Sequence, residues 1–205
     1  MKFHKGEIMN SDKEFKVNNE RITKLDYVGE RKPAIICDVD GTVALMMGQR
    51  KPFEYDKCLN DWANQPVIDM VFAAKTMLEN KLTGQGSEFR DVALIMLSAR
   101  ENKDLEEPFT IDSEYGSRDI NNVYDLTSHW LDKYMKGPLG ERAHRLFMRE
   151  KGDFRKDCYV KFELYHEEIA PAYDVKYVFD DRNQVVDMWR NGLGLTCFQV
   201  ADGNF

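Results

Sequence analysis

Ile35-Ile36-Cys37-Asp38-Val39-Asp40-Gly41-Thr42 joins a short apolar run to two carboxylates, a glycine and a hydroxyl. The run from Ala34 to Cys37 suits a strand buried on both faces, and Pro33 before it fits only a strand's start or edge. Side chains alternate along extended chain, so Asp38 and Asp40 are expected to point the same way. Gly41 allows a sharp turn or close approach to an anion, and Thr42 can cap or donate there. Two carboxylates on one side call for a cation, a perturbed pKa, or both. The bland alternative is a solvated Asp-x-Asp-Gly turn.

At 205 residues the chain has room for one sizeable α/β domain with a small insertion. A hydrophobic content of 42% and a charged content of 32% describe a globular protein, and no apolar run reaches the length of a membrane span. Met1-Lys2-Phe3-His4-Lys5 is charged and unlike a secretory signal, and Cys37, Cys58, Cys158 and Cys197 show no disulfide framework. A reducing cytoplasm is the expectation. The net charge of −7 argues against a non-specific nucleic-acid coat, so a polyanion must meet a local patch.

Working outward, residues 1–32 read as a charged N-terminal arm and 33–205 as the domain. The glycine pair Gly84 and Gly86 has no following Lys-Ser/Thr, which argues against a P-loop. Gly48-Gln49-Arg50-Lys51-Pro52 is a basic loop close to the carboxylates, fit either for phosphate or for solvent. Pro66 opens a helix with Val67, Met70, Val71, Ala74, Met77, Leu78 and Leu82 on one face. A second buried strand, 91–97, ends in Ser98-Ala99-Arg100; ligands of open parallel sheets lie beyond such strand ends. Residues 101–122 are polar and read as an insertion or cap. Val123, Leu126, Trp130, Leu131, Tyr134 and Met135 form a helical stripe, read as core rather than as a platform for bases.

Leu146 to Arg149 reads as a third strand, and Gly152-Asp153-Phe154-Arg155-Lys156-Asp157 as the entrance of a helix ending before Pro171. From Arg142 to Lys161 seven Lys/Arg stand against three acids, which both a solvated face and a polyanion surface explain. A fourth strand, 175–179, ends in Asp180-Asp181-Arg182. A short helix and a fifth strand, 195–200, follow. The scattered His4, His129, His144 and His166 make a zinc site improper to the pattern.

Asp38, Asp40 and Asp180-Asp181 at one sheet edge make an all-oxygen site suited to magnesium, which takes a few carboxylates plus substrate phosphate oxygens. One carboxylate can attack phosphorus while its neighbour protonates the leaving oxygen and then activates water. Ser98 and Lys156 would stabilise charge on the phosphoryl oxygens.

Asp38-Val39-Asp40-Gly41-Thr42, Ser98, Lys156 and Asp180-Asp181 together resemble the four ordered motifs of the haloacid dehalogenase (HAD) phosphohydrolases. More narrowly, the chain from Asp38 onward resembles the 3′-phosphatase domain of bacteriophage polynucleotide kinase/phosphatase. That likeness rests on Ser98-Ala99-Arg100-Glu101, Gly152 to Asp157, Asp180 to Val186, Met188-Trp189-Arg190 and Gln199-Val200-Ala201-Asp202-Gly203. The resemblance implies a HAD-like α/β fold, with a mostly parallel central sheet, helices on both faces and a small cap. It implies Asp38 as nucleophile and Asp40 as general acid/base, its backbone carbonyl a magnesium ligand beside Asp38, Asp180 and Asp181. Thr42, Ser98 and Lys156 would hold the phosphoryl group, with Arg50, Arg100 and Asp153 at the substrate end. The kinase half has no counterpart here, the loop before Arg50 is longer and 111–122 looks inserted.

The expected activity is a magnesium-dependent phosphohydrolase removing 3′-phosphates from DNA or RNA ends, in the host cytoplasm if the chain is of phage origin. The alternatives are a nucleotide monophosphatase of the same superfamily and a non-catalytic binder of phosphorylated ends.

Overall fold

The computed structural model describes residues 31–203 apart from residues 90, 114–115 and 138–144. The expected arm therefore lies, up to residue 30, outside the described residues, as does His144. In chain order the elements are β1 (Lys32–Asp38), β2 (Ala44–Leu45), β3 (Trp62–Ala63), α1 (Gln65–Gly84), β4 (Ala93–Glu101), β5 (Asp104–Ser113) and β6 (Gly116–Asn122). They continue with α2 (Val123–Tyr134), β7 (Arg145–Arg149), α3 (Asp157–Leu164), β8 (Tyr173–Arg182), α4 (Asn183–Asp187) and β9 (Cys197–Gly203).

Five strands form one sheet in the order β7-β4-β1-β8-β9, every pairing parallel. β1 lies at its centre because its side chains are apolar on both faces. Ile35 and Cys37 pack with Ile68, Val71 and Phe72 of α1 and Trp130 and Leu131 of α2. Ala34 and Ile36 pack with Cys158 of α3, Val185 and Val186 of α4, and Trp189. Helices thus cover both faces, as the unbroken apolar run requires. Burying each isoleucine contributes about 1.5–3 kcal/mol.

α1 is tied to the turn after β1: the Asn64 side chain donates to the Thr42 carbonyl at 2.9 Å, and its backbone N–H to Val43 O at 2.8 Å. At α2 the Asn122 side chain accepts from the Asp125 N–H at 2.9 Å, a cap worth about 1 kcal/mol.

The polar segment expected as an insertion over 101–122 is an antiparallel hairpin, β5 with β6. Glu101 belongs instead to β4, and Ile120 is buried against Cys58 and Leu126. The helix expected from Gly152 begins only at Asp157, because 152–156 is a loop whose carbonyls are held by a side chain described below. Both α3 and α4 run into wide π turns, Tyr165–Ile169 and Met188–Gly192. No helix among the described residues is long and apolar enough to cross a membrane.

Candidate active site

The register sets Asp38 beside Leu97 of β4 and Cys37 beside Phe179 of β8. The tips carrying Asp38, Ser98 and Asp180-Asp181 therefore meet at one sheet edge. Gly41, at φ +82°, turns the chain there, and a Cβ on it would lie 2.2 Å from Asp181 Oδ2. Only glycine admits that carboxylate.

Asp38, Asp180 and Asp181 are 5%, 1% and 3% exposed, with carboxylate oxygens within 4.8 Å of one another. Lys161 Nζ donates to Asp38 Oδ1 at 2.6 Å and to Asp180 Oδ2 at 2.8 Å. The Trp189 indole N–H also donates to Asp180 Oδ2, at 3.2 Å. The Thr42 hydroxyl lies 3.3 Å from Asp38 Oδ2 and 3.4 Å from Asp181 Oδ1, able to donate to one at a time.

Burial pushes the Asp38 carboxyl well up, Asp180 and Asp181 adding to the effect against Lys161. Burial and then Asp180 push Asp181 up to about 6. Burial opposes the Lys161 charge, but Asp180 and Asp38 outweigh it and raise that ammonium's pKa. One ammonium among three buried carboxylates leaves a deficit of positive charge. A hard divalent cation with oxygen ligands fits that donor set.

Asp40 faces elsewhere. The strand ends at Asp38, so alternation no longer governs, and the expectation of two like-facing carboxylates is corrected. Arg100 Nε and Nη2 reach Asp40 Oδ2 and Oδ1 at 2.7 and 2.9 Å, and Arg50 Nη2 reaches Oδ1 at 2.6 Å. Burial would raise the Asp40 carboxyl, but Arg100 and Arg50 overcome this and hold it below the usual range.

Behind the arginines sits Asp61, its side chain fully enclosed. It accepts from Arg50 Nε and Nη2 at 2.7 and 2.8 Å and from Arg100 Nη2 at 2.8 Å. Trp130 donates to the Asp61 carbonyl at 2.9 Å, and Thr127 accepts from Arg100 at 3.1 Å. The two arginines are thus fixed from behind.

Ser98 is buried, its hydroxyl accepting from the Arg100 N–H at 3.1 Å. The lysine expected in the site was Lys156, but Lys156 is exposed at the cap of α3. Because the helix starts five residues later than expected, the lysine brought to Asp38 is Lys161. Asp153 likewise holds its own neighbour, accepting from the Arg155 backbone at 3.0 Å and from its guanidinium. Arg155 holds the Asp153 carboxyl down to about 2, although burial opposes it. Asp157, the first residue of α3, is paired with Arg149 and Arg182. Much of the local cation excess is consumed internally, by Asp157, Asp153 and Glu163, and Asp38 and Asp180.

Residues 32–205 match the family described as the polynucleotide kinase PNKP phosphatase domain. A putative bifunctional polynucleotide kinase/RNA ligase of Autographa californica nuclear polyhedrosis virus is 29% identical over 185 residues, 88% of this chain and 22% of that protein. A chain of the Pnkp1/Rnl/Hen1 complex is 34% identical with a TM-score of 0.62, matching 90% of this chain and 52% of its own. A chain of the Pnkp1/Rnl/Hen1 RNA repair complex is 33% identical with a TM-score of 0.63, matching 89% of this chain and 47% of its own. The chain thus spans about half the length of these solved relatives and about a fifth of the viral one.

Proposed function

Since the chain belongs to the polynucleotide kinase PNKP phosphatase domain family, a HAD-type phosphatase family of polynucleotide end processing, we propose that it removes 3′-phosphates from DNA or RNA ends in a magnesium-dependent reaction. The observation carrying this reading is Asp38 at the tip of β1, its carboxylate held by Lys161 beside the Asp180-Asp181 pair.

In this reading a carboxylate oxygen of Asp38 attacks phosphorus, the bond to the ribose 3′-oxygen breaks, and an aspartyl-phosphate forms. Asp40 gives its proton to the departing oxygen and then takes one from the water that attacks the phosphorus of the acyl phosphate. Asp40 must first be freed, because Arg50 and Arg100 hold it ionised. An incoming phosphate competes for these guanidinium groups, and Asp40, so released, takes up from water the proton that it then gives to the departing oxygen. Asp61 keeps the arginines aimed forward. Lys161, with Thr42 and Ser98, steadies charge on the transferring group and takes the role expected of Lys156. Asp38, Asp180 and Asp181, with the Asp40 backbone carbonyl, would hold magnesium, which when bound supplies neutralising charge to nucleophile and phosphoryl oxygens.

Phosphate release is to be measured from a 3′-phosphorylated oligonucleotide, a 3′-mononucleotide and a 5′-phosphorylated oligonucleotide, with Asp38→Asn as the blank. Selective release from the first is expected. Faster turnover of the mononucleotide would make this a metabolite phosphatase, and no release above the blank would defeat the enzymatic reading.

A further inference from the structure

We propose that Phe53 and Phe154, on two loops flanking the carboxylate site, form a stacking platform for unpaired bases next to the phosphorylated end of a polynucleotide. This deepens the end-phosphatase reading and rests on it for the identity of the substrate.

Phe154 is 86% exposed and Phe53 75%. A phenyl ring so open to water gains nothing from burial, yet the backbone that presents Phe154 is firmly held. Arg149, buried, donates from Nη1 to the Asp153 and Arg155 carbonyls at 2.9 and 2.5 Å, the two on either side of Phe154. Its Nε donates at 2.7 Å to the carbonyl of Ala99, between Ser98 and Arg100 at the tip of β4. The backbone that presents the ring is therefore tied to the sheet edge that carries the site.

Phe53 is held in another unfavourable way. Glu54 N–H donates to the Lys51 carbonyl at 3.2 Å, closing a turn with Pro52 and Phe53 in the middle, and Phe53 has φ +70°. Proline followed by a positive-φ residue is a pattern in which glycine is the natural choice. A bulky side chain there is strained. The ring packs edge-on against Tyr55 at 6.2 Å, and the Arg50 guanidinium lies 5.8 Å from the Tyr55 centroid. Arg50 in turn holds Asp40, so the contacts run unbroken from Phe53 to the site. Burial, then the charges of Asp40 and of Asp157 at the start of α3, push the Tyr55 phenol up to about 12.

Two open rings beside a phosphate-handling edge suit bases better than a second protein surface. A base offers a flat π-face, and phenylalanine reads it without hydrogen bonds, hence with little sequence preference. Lys51, exposed beside Phe53, lies where backbone phosphates of the same strand pass.

The test is fluorescence anisotropy at one fixed salt concentration, with a labelled single-stranded 3′-phosphorylated oligonucleotide and an abasic strand of equal length and charge. Wild type is expected to prefer the base-bearing strand. Stacking is worth about 1–3 kcal/mol per base, so Phe154→Ala should weaken that strand roughly 5- to 150-fold. Binding of the abasic strand and hydrolysis of glycerol phosphate should not change. Phe154→Trp should retain the preference. Phe53→Gly should weaken binding while leaving the thermal midpoint unchanged or higher, since glycine relieves the turn. Equal affinity of wild type for the two strands, or Phe154→Ala and Phe53→Gly variants that bind as wild type does, would overturn the platform. Wild-type binding without phosphate release would defeat the end-phosphatase chemistry, and the alanine and tryptophan comparison would still decide the platform.

Discussion

Replacing Lys161 with methionine keeps most of the stem and removes the only cation bonded to both Asp38 and Asp180 among the described contacts. At 2.6 and 2.8 Å, with an effective dielectric constant near 20, each attraction is about 6 kcal/mol before solvation is counted. Desolvation of the buried ions offsets much of this, and breaking a buried pair by removing one partner costs about 3–5 kcal/mol. Urea unfolding at pH 7 in a chelator should show a loss of that size. Magnesium should shrink the loss, because it supplies the missing charge to the folded state alone. Acidification to about pH 5 should shrink it too, because Asp38 and Asp181, already raised, can then protonate. Lys156→Ala, at an exposed position, should fall within about 0.5 kcal/mol of wild type. A Lys161→Met protein as stable as wild type in chelator at pH 7 would refute the charge argument.

Gly41→Ala places a methyl group where Asp181 Oδ2 sits, 2.2 Å away, at φ +82°; phosphate release should fall at least about a hundredfold, for over 2.7 kcal/mol of lost transition-state stabilisation. Asp61→Asn weakens the clamp behind both arginines, so KM for the phosphorylated end should rise more than kcat falls, as steady-state kinetics would show. Metal-free wild type should lose stability as pH rises from about 4 to about 6. Asp181 is raised from its ordinary 3.8 to about 6, so the folded state binds more protons than the unfolded one in that window. Asp40 and Asp153 act oppositely and only at lower pH, being held below 3.8. Denaturant midpoints across pH, with and without magnesium, would check the sign.

What could be read from the sequence followed from apolar runs ending in acids. Ala34 to Cys37 and the strand before Asp180 reveal themselves because a strand buried on both faces leaves no alternation to misread, and their tips carry the chemistry. Lys161 was legible in principle. It falls three residues after Cys158 on the buried face of α3, where a lysine must have a partner. The earlier Lys156 drew attention because it stands in the Gly152 to Asp157 stretch that carries part of the family resemblance. Asp61 gave no such signal. It sits between a six-residue 3-10 helix, Tyr55–Asn60, and the two-residue β3, and its partners Arg50 and Arg100 lie 11 and 39 residues away. The divergence of Asp38 and Asp40 was hidden for a different reason: alternation holds only while the strand continues, and the strand stops two residues before Asp40.

The central place of β1 has a kinetic corollary. Asp38 lies 123 residues before Lys161, and Thr42 lies 139 before Asp181. Parallel pairings of such span close late, because the intervening loop must lose its freedom before any contact rewards it. During synthesis the acceptor carboxylate emerges long before the ammonium and acids that give it its character. The site therefore comes into being together with the finished sheet, and an incomplete chain carries an ordinary aspartate where the mature fold holds a buried carboxylate of raised pKa.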